Sequence, residues 1–294
     1  MLPVSTVQNT IIAWYHVHAR ELAWRAADRT PWGVLVSEVM LQQTPVARVE
    51  PAWHDWMTRW PTPAALAEDQ PAEAIRRWDR LGYPRRALWL HQAATRCVEN
   101  FQGHVPDTYE GLRSLPGIGD YTAAAVLSFA FGRRAVVLDT NVRRVLARIW
   151  SGQQFPGPSI TAAERALAES IVPADDATAA QWSVAVMELG ALICTAAKPA
   201  CALCPVQKSC AWNLAGQPPY DGAPRKTQKF AGTDRQVRGK LMAVLRAANE
   251  PTPKATLDLV WPDAQQRDRA LDGLVADGLV DPIGDQYFVL PTSK

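Results

Sequence analysis

The sequence predicts an all-α body followed by a small module of helices and a terminal hairpin. Three observations carry that expectation. Before residue 212 apolar residues recur at helical rather than alternating spacing, and no strand pattern is present. Prolines at 31, 45, 61, 71, 84, 106, 116 and 156 punctuate the stretch into short helices. Only the last sixty or so residues turn to strand-like runs, where Gly284-Asp285 sits ahead of Tyr287-Phe288-Val289-Leu290.

The chain of 294 residues is long enough for two domains and a small third. Its 48% hydrophobic and 20% charged residues are globular values, and no apolar run reaches membrane-spanning length. The formal charge of +2 says nothing by itself about nucleic acid, because a basic face matters there rather than a basic average. The twelve tryptophans are expected in the core and between helices. The N-terminal run MLPVSTVQNTIIAWYHVHAREL lacks the basic start and apolar core of a signal peptide. It reads as an amphipathic helix, and a cytoplasmic protein is expected.

In chain order, Trp24-Arg25 begins a connection to Thr30-Pro31-Trp32, which opens a helix running through SEVMLQQT. Residues 35, 36, 39 and 40 form its apolar stripe, with Glu38 and Gln42 together on another face. On pattern alone Glu38 is a solvated carboxylate. Further on, Leu115-Pro116-Gly117-Ile118-Gly119 precedes a helix starting near Tyr121. Its two glycines open a backbone path that leaves amide N–H groups uncovered beside a helix N-terminus, as a phosphate clamp requires. An ordinary helix–turn–helix corner has the same pattern. After Ala135-Val136-Val137-Leu138 comes Asp139, placed as an N-cap before Val142, Val145, Leu146 and Ile149. The same placement suits a carboxylate held at the mouth of a cleft.

Cys194, Cys201, Cys204 and Cys210 follow with six, two and five residues between them. Without a secretory signal, four thiols so close argue for a metal site over a disulfide framework. Zinc accepts four cysteines, although the uneven spacing is unlike paired CxxC ribbons. The fifth cysteine, Cys97, is expected to be buried and inert. From Ala211 to Asp234 the composition shifts to Pro, Gly and basic residues, including Arg225, Lys226 and Lys229. That stretch is either a mobile basic linker along phosphates or a plain tether. In the tail, Val237, Leu241, Val244 and Leu245 mark one helix and residues 264–276 another. With the terminal hairpin they make a winged-helix-like module that binds DNA or packs on the body.

LPGIGDYTAAA followed by VVLDTNVRRV resembles the helix-hairpin-helix, Gly/Pro-rich loop and aspartate signature of a DNA glycosylase superfamily that includes endonuclease III and the adenine DNA glycosylases. SEVMLQQT resembles the adenine glycosylase motif that holds a catalytic acid. The resemblance covers residues 5–212 and implies a two-lobed fold. A six-helix lobe spans residues 30–137, and an iron–sulfur lobe spans 1–29 with 138–212; residues 213–234 are the linker and 235–294 the module. DNA would lie in the cleft, with Glu38 and Asp139 on either side. The cysteine spacing matches the [4Fe–4S] loop of this superfamily, so an iron–sulfur cluster is the expected cofactor.

The chemistry asks for two carboxylates. Expelling a purine needs a proton delivered to the leaving base and a negative group near the cationic sugar. The resemblance implies Glu38 as the acid and then the base for water. It implies Asp139 as the ionised stabiliser of the sugar, directly or through a covalent adduct, with Asn141 assisting. Tyr121 stands where strand-cutting relatives carry a Schiff-base lysine, so a monofunctional enzyme is expected, although a packing tyrosine would look the same. Leu81-Gly82-Tyr83 resembles the family's wedge, which makes Tyr83 the intercalating residue and Gln43 the one that fills the vacated space. Here Pro84 replaces a frequent second tyrosine. Gly117, Gly119 and Lys198 would meet DNA. Trp24, Arg25, Leu41, Val46 and Glu188 align with the adenine pocket.

The expected activity is release of adenine from A:8-oxoguanine or A:G mispairs in duplex DNA, by a nucleoid-associated monomer with no membrane partner. Two rivals stand beside it: a mismatch thymine glycosylase, and a non-catalytic iron–sulfur DNA-binding protein. Many adenine glycosylases end in a larger, strand-rich domain that inspects 8-oxoguanine, and the tail has neither the length nor the strand count for it.

Overall fold

The structure, a computed structural model, describes residues 2–222 and 230–292. Arg225, Lys226 and Lys229 of the expected linker lie outside the described residues. The described chain up to residue 222 is helical and carries no strand, and the chain divides into two compact units.

One unit takes the described residues of Met1–Val34, Asp107–Glu110 and Gly119–Pro224. Its helices are Val4–His18, Asp120–Phe131, Thr140–Trp150, Ala162–Ile171 and Asp176–Leu192, with short turns at Ala23–Arg25, Cys201–Leu203 and Gln207–Ser209 and a last short helix at Ala211–Leu214. Val7, Ile11, Val142, Val145, Ile149, Trp182, Val186 and Leu189 recur at helical spacing and meet in one core. Asp139, Thr161 and Asp175 each cap a helix by accepting a backbone N–H two or three residues into it, which satisfies donors the helix cannot. Beyond Ala211–Leu214 the chain stays pinned to this unit. Trp212 Nε1 donates to the Pro218 carbonyl (2.8 Å), and Tyr220 N–H donates to Gln154 Oε1 (2.7 Å).

The other unit takes Leu35–Pro106, Gly111–Ile118 and the described residues of Arg225–Lys294. Its body holds the helices Val46–Arg59, Pro63–Glu68, Pro71–Trp78 and Arg85–Phe101. Trp56 meets Trp60 and Trp78 edge-to-face at 4.9 and 5.5 Å between ring centres, the geometry that aligns each ring's positive edge with another's negative face. The tryptophans are core residues here, as expected.

The tail of this unit holds the helices Asp234–Ala247, Lys254–Asp258 and Ala264–Ala276. Thr252–Pro253, Tyr287–Val289 and Asp281–Ile283 form a three-stranded antiparallel sheet in that order, with Phe288 opposite both Thr252 and Pro282. Gly284, at φ 56, makes the turn between the last two strands. The helix Ala264–Ala276 and this hairpin fall where the sequence places them. The Lys254–Asp258 helix and the strand before it do not follow from any pattern, because each is too short to show a period. No helix among the described residues is long and apolar enough to cross a membrane.

Candidate functional site

The candidate residues fall in both units, and each unit builds its own cluster. In the unit containing Leu35–Pro106, the helix Pro31–Leu41 carries Glu38. Proline opens this helix, and Thr30 Oγ1 accepts the Gly33 N–H at 3.0 Å. Leu35, Val36, Val39 and Met40 are buried as the stripe requires, but so are Ser37 and Glu38, the last only 5% exposed. The solvated-face reading of Glu38 therefore fails. Charged residues are rarely buried without a purpose, and this one sits among apolar neighbours on its own helix.

Just past the helix, Gln43 is exposed and takes a left-handed backbone (φ 56), while Leu41 and Val46 are half-buried. The Leu81-Gly82-Tyr83 segment has the same character, with Gly82 at φ 82 and Tyr83 at φ 48. A left-handed non-glycine residue persists only where its surroundings hold it.

What holds both segments is Arg86, buried and unnamed by the motifs. Its Nη1 donates to the carbonyls of Val39 (2.8 Å), Met40 (3.1 Å) and Gln42 (2.6 Å). Its Nη2 donates to the Gly82 carbonyl (2.9 Å) and to Thr44 Oγ1 (3.2 Å). The guanidinium lies over the rings of Trp78 (5.0 Å) and Tyr83 (5.5 Å). One cation thus ties the end of the Glu38 helix to the Gln43 turn and the Tyr83 segment; burial lowers its pKa to about 10. The sequence held a signal for it. Arg86, Leu90, Ala93 and Cys97 share one helical stripe and all are buried, so the arginine is a charge on an apolar face. Cys97 is buried as expected, and burial pushes its thiol up to about 12.

Gly117 (φ 74) lies against the side chain of Trp89, where an added Cβ would stand 2.7 Å from Trp89 Cβ. Nothing larger than glycine fits. Gly119 precedes Asp120–Phe131 in extended backbone, with open space around its Cα and no side-chain cap.

In the unit containing Gly119–Pro224, Asp139 is half-buried at the start of Thr140–Trp150. Its Oδ1 accepts the Val142 N–H at 2.6 Å and its Oδ2 accepts Asn141 Nδ2 at 2.9 Å. Burial raises its pKa above the ordinary 3.8, against the opposing pull of these two donors and of Arg144. Asn141 is itself oriented, because Arg144 Nη2 donates to its Oδ1 (2.8 Å) and to the Gly190 carbonyl (2.6 Å). Gly190 is what lets the helices Thr140–Trp150 and Asp176–Leu192 approach here. A Cβ on it would lie 2.7 Å from Asn141 Cβ and 3.0 Å from its carbonyl oxygen. Gly190→Ala is expected to cost about 1–3 kcal/mol by forcing the helices apart, read as a lowered midpoint in urea or heat. Tyr121 is the second residue of Asp120–Phe131 and is half-buried.

The same unit brings Arg25 and Glu188 together. Glu188 is fully buried and receives Arg20 as a bidentate partner (Nε to Oε1 and Nη2 to Oε2, both 2.7 Å), the Arg20 N–H (3.1 Å) and Arg25 Nη1 (3.0 Å). Burial alone would raise the carboxyl; the two arginines outweigh it and hold Glu188 at about 2. Trp24 is buried beside Arg25 in the Ala23–Arg25 turn. Arg20 was missed because it belongs to no motif.

The cysteine segment corrects the expected cofactor. Cys194, Cys201, Cys204 and Cys210 border one small apolar cavity, yet among the described residues no three Cys, His, Asp or Glu side chains form a group that could hold a metal ion. The iron–sulfur and metal-binding expectations do not hold in this fold. Arg148, 1% exposed, organises the segment in its place. Its guanidinium donates to the Cys194 sulfur (3.3 Å) and to the carbonyls of Cys194 (3.3 Å), Thr195 (2.8 Å) and Ala196 (3.3 Å), and lies 4.7 Å over Trp212. Cys210 Sγ in turn points its proton at the Arg148 carbonyl (3.3 Å). Burial raises the thiols of Cys201, Cys204 and Cys210, with Cys204 pushed up to about 12. Lys198 is exposed on this segment.

Known proteins resemble the chain over most of its length. Residues 36–173 match the family described as "HhH-GPD superfamily base excision DNA repair protein". An adenine DNA glycosylase of Mycobacterium tuberculosis is 50% identical over 96% of this chain and 93% of its own length. One of Mycolicibacterium smegmatis is 48% identical over 95% and 94%. The human adenine DNA glycosylase is 39% identical over 70% of this chain and 39% of its own. Among solved structures, a thermostable thymine-DNA glycosylase superposes with a TM-score of 0.66 at 26% identity, over 72% of this chain and 97% of that one. An endonuclease III–DNA covalent intermediate superposes at 0.61 and 22% identity, over 74% and 100%, which speaks for the fold alone. With half its residues shared along nearly the full length of such relatives, the chain belongs to the adenine DNA glycosylases of the helix-hairpin-helix superfamily of base excision DNA repair proteins.

Proposed function

We propose that the chain excises adenine from A:8-oxoguanine and A:G mispairs in duplex DNA, with Glu38 and Asp139 dividing the chemistry and no strand cleavage of its own. The activity itself follows from the family: a base-excision-repair hydrolase that cleaves the N-glycosidic bond of adenine in DNA. The observation that most supports the residue assignment is the burial of Glu38 on a helix whose last carbonyls Arg86 fastens. In this reading the buried carboxyl delivers the proton the departing adenine needs. The base, once protonated, leaves as a neutral molecule, and the carboxylate then takes a proton from the incoming water. Asp139, gripped by Val142 N–H and Asn141, keeps its charge directed at the cationic sugar.

Tyr83 and Gln43 sit on exposed, left-handed backbone at two turns that Arg86 joins. That arrangement suits residues that enter the duplex and fill the space a flipped base leaves. In this reading the turn through Gly117 and Gly119 meets phosphate, so binding should fall steeply with salt. Tyr121, Trp24, Leu41 and Val46 complete the assignment by resemblance. In this reading Arg25 and Glu188 support the adenine pocket as an ion-paired unit, and Lys198 offers a phosphate contact.

Single-turnover cleavage tests the chemistry. Nicks should appear only after alkali, since Tyr121 offers no amine for a Schiff base. As pH falls, the rate should decline through the raised pKa of Asp139, so the acid limb should lie above 3.8. Nicking without alkali, or an acid limb at or below that value, contradicts the assignment.

A further inference from the structure

The Tyr83 segment is held from two directions, and one of them is the C-terminal module. Gly82 and Tyr83 are consecutive left-handed residues, and Pro84 follows them. Such a path needs outside support, since a left-handed tyrosine relaxes if nothing opposes it. Arg86 supports it from the body of the unit through the Gly82 carbonyl (2.9 Å). The second support comes from the helix Asp234–Ala247. Arg235 lays its guanidinium across the Tyr83 ring at 4.4 Å, and Phe230 lies on that guanidinium's surroundings at 6.0 Å.

The contact is built rather than incidental. Two residues beyond Tyr83, Arg85 pairs with Asp277 at 3.2 Å, and Asp277 also pairs with Arg238, one turn after Arg235. The far end of the same helix is fastened as well. Arg76 of the body donates to the carbonyls of Arg246 (2.6 Å) and Ala248 (2.7 Å), which a helix leaves without internal donors. The module therefore grips residues on both sides of Pro84 and is itself anchored at the other end of its helix. Tyr83 remains 39% exposed, so the ring is held without being covered.

The geometry points to Arg235 as a positioning residue: the C-terminal module sets the Tyr83 ring in place before DNA arrives. The inference rests on the reading that Tyr83 enters the duplex. A side chain ordered in advance loses less freedom on insertion, and a guanidinium–tyrosine contact at an exposed site has the strength to bias one ring setting. It also gives the tail a task, where sequence alone left DNA binding and simple packing open.

The test uses the full chain and a duplex carrying 2-aminopurine at the target position opposite 8-oxoguanine, whose fluorescence rises when the base leaves the stack. With enzyme in excess, Arg235→Ala should slow that rise about threefold to tenfold. Duplex affinity should stay within about twofold and the melting temperature unchanged, since the side chain is exposed. Arg235→Lys, which keeps a cation, should recover most of the rate. Because Arg235 acts through the ring, Arg235→Ala should add nothing in a Tyr83→Ala background.

If Tyr83→Ala slows opening while Arg235→Ala does not, the inference fails and the wedge reading survives. Faster opening in Arg235→Ala, or losses that simply add, overturns it equally. If Tyr83→Ala opens the base as fast as the native protein, the wedge reading fails and takes the inference with it.

Discussion

Glu38→Gln is expected to abolish base release while the duplex stays bound. Glutamine keeps the volume and much of the hydrogen bonding of a side chain that is 5% exposed, so the fold has no cavity to repair. What it cannot do is give up a proton to the leaving adenine or take one from water. General acid–base catalysis contributes about 100- to 10,000-fold, and the single-turnover rate should fall by an amount of that order. Affinity measured with the same duplex should change little, because phosphate contacts carry it. A non-catalytic DNA-binding protein would show no effect beyond binding, and a surface carboxylate would show none at all. A Glu38→Gln enzyme that excises at the native rate removes Glu38 from the mechanism.

Glu188→Ala is expected to produce the largest loss of stability. The carboxylate is fully buried, and its removal strands Arg20 and Arg25 beside a cavity. Breaking one side of a buried ion pair costs about 3–5 kcal/mol. The titration of the group gives a similar size, since the fall from 4.5 to about 2 corresponds to about 3 kcal/mol. The sign follows from a folded-state pKa lying below the unfolded one. The contribution is complete above about pH 5 and is lost as pH falls from the unfolded value of 4.5 toward about 2. Urea midpoints at pH 7 and pH 3 should therefore differ sharply in the native protein and much less in Glu188→Ala. Equal pH dependence in the two proteins would show that Glu188 does not carry this charge network.

Much of the fold was legible because helices announce themselves by period. The stripe 35, 36, 39, 40 did become a buried face, and Asp139 did cap the helix that follows it. A stripe reports which side is apolar, however, and not whether the opposite side is covered. Glu38 looked solvated on that ground, and the fold buries it together with Ser37. Arg86 and Arg144 were passed over for a related reason. Each works by reaching carbonyls far off in sequence, Val39, Met40 and Gln42 for one and Gly190 and Cys194 for the other. Local pattern contains no trace of such bonds beyond a charge in an unexpected place. Gly190 is similar, because its need for a bare Cα arises only from the helix that crosses at Asn141.

The cysteines show the opposite failure, a local pattern that promised more than the fold delivers. Four residues of one chemistry at a familiar spacing implied one center, while the three-dimensional arrangement is set by Arg148 and its carbonyl partners. In the tail the two longer helices and the terminal hairpin were legible, while the first strand and the Lys254–Asp258 helix are too short to show a period. Its sheet has strands of two or three residues, and the role of Arg235 depends on where the helix Asp234–Ala247 docks.

The measurement that bears most directly on the account is base release from four matched duplexes carrying A:8-oxoguanine, A:G, T:G and A:T. The account predicts adenine release from the first two, with nicks only after alkali, and none from A:T. Thymine release from T:G without adenine release, or no release from any duplex by protein that binds them, would contradict it.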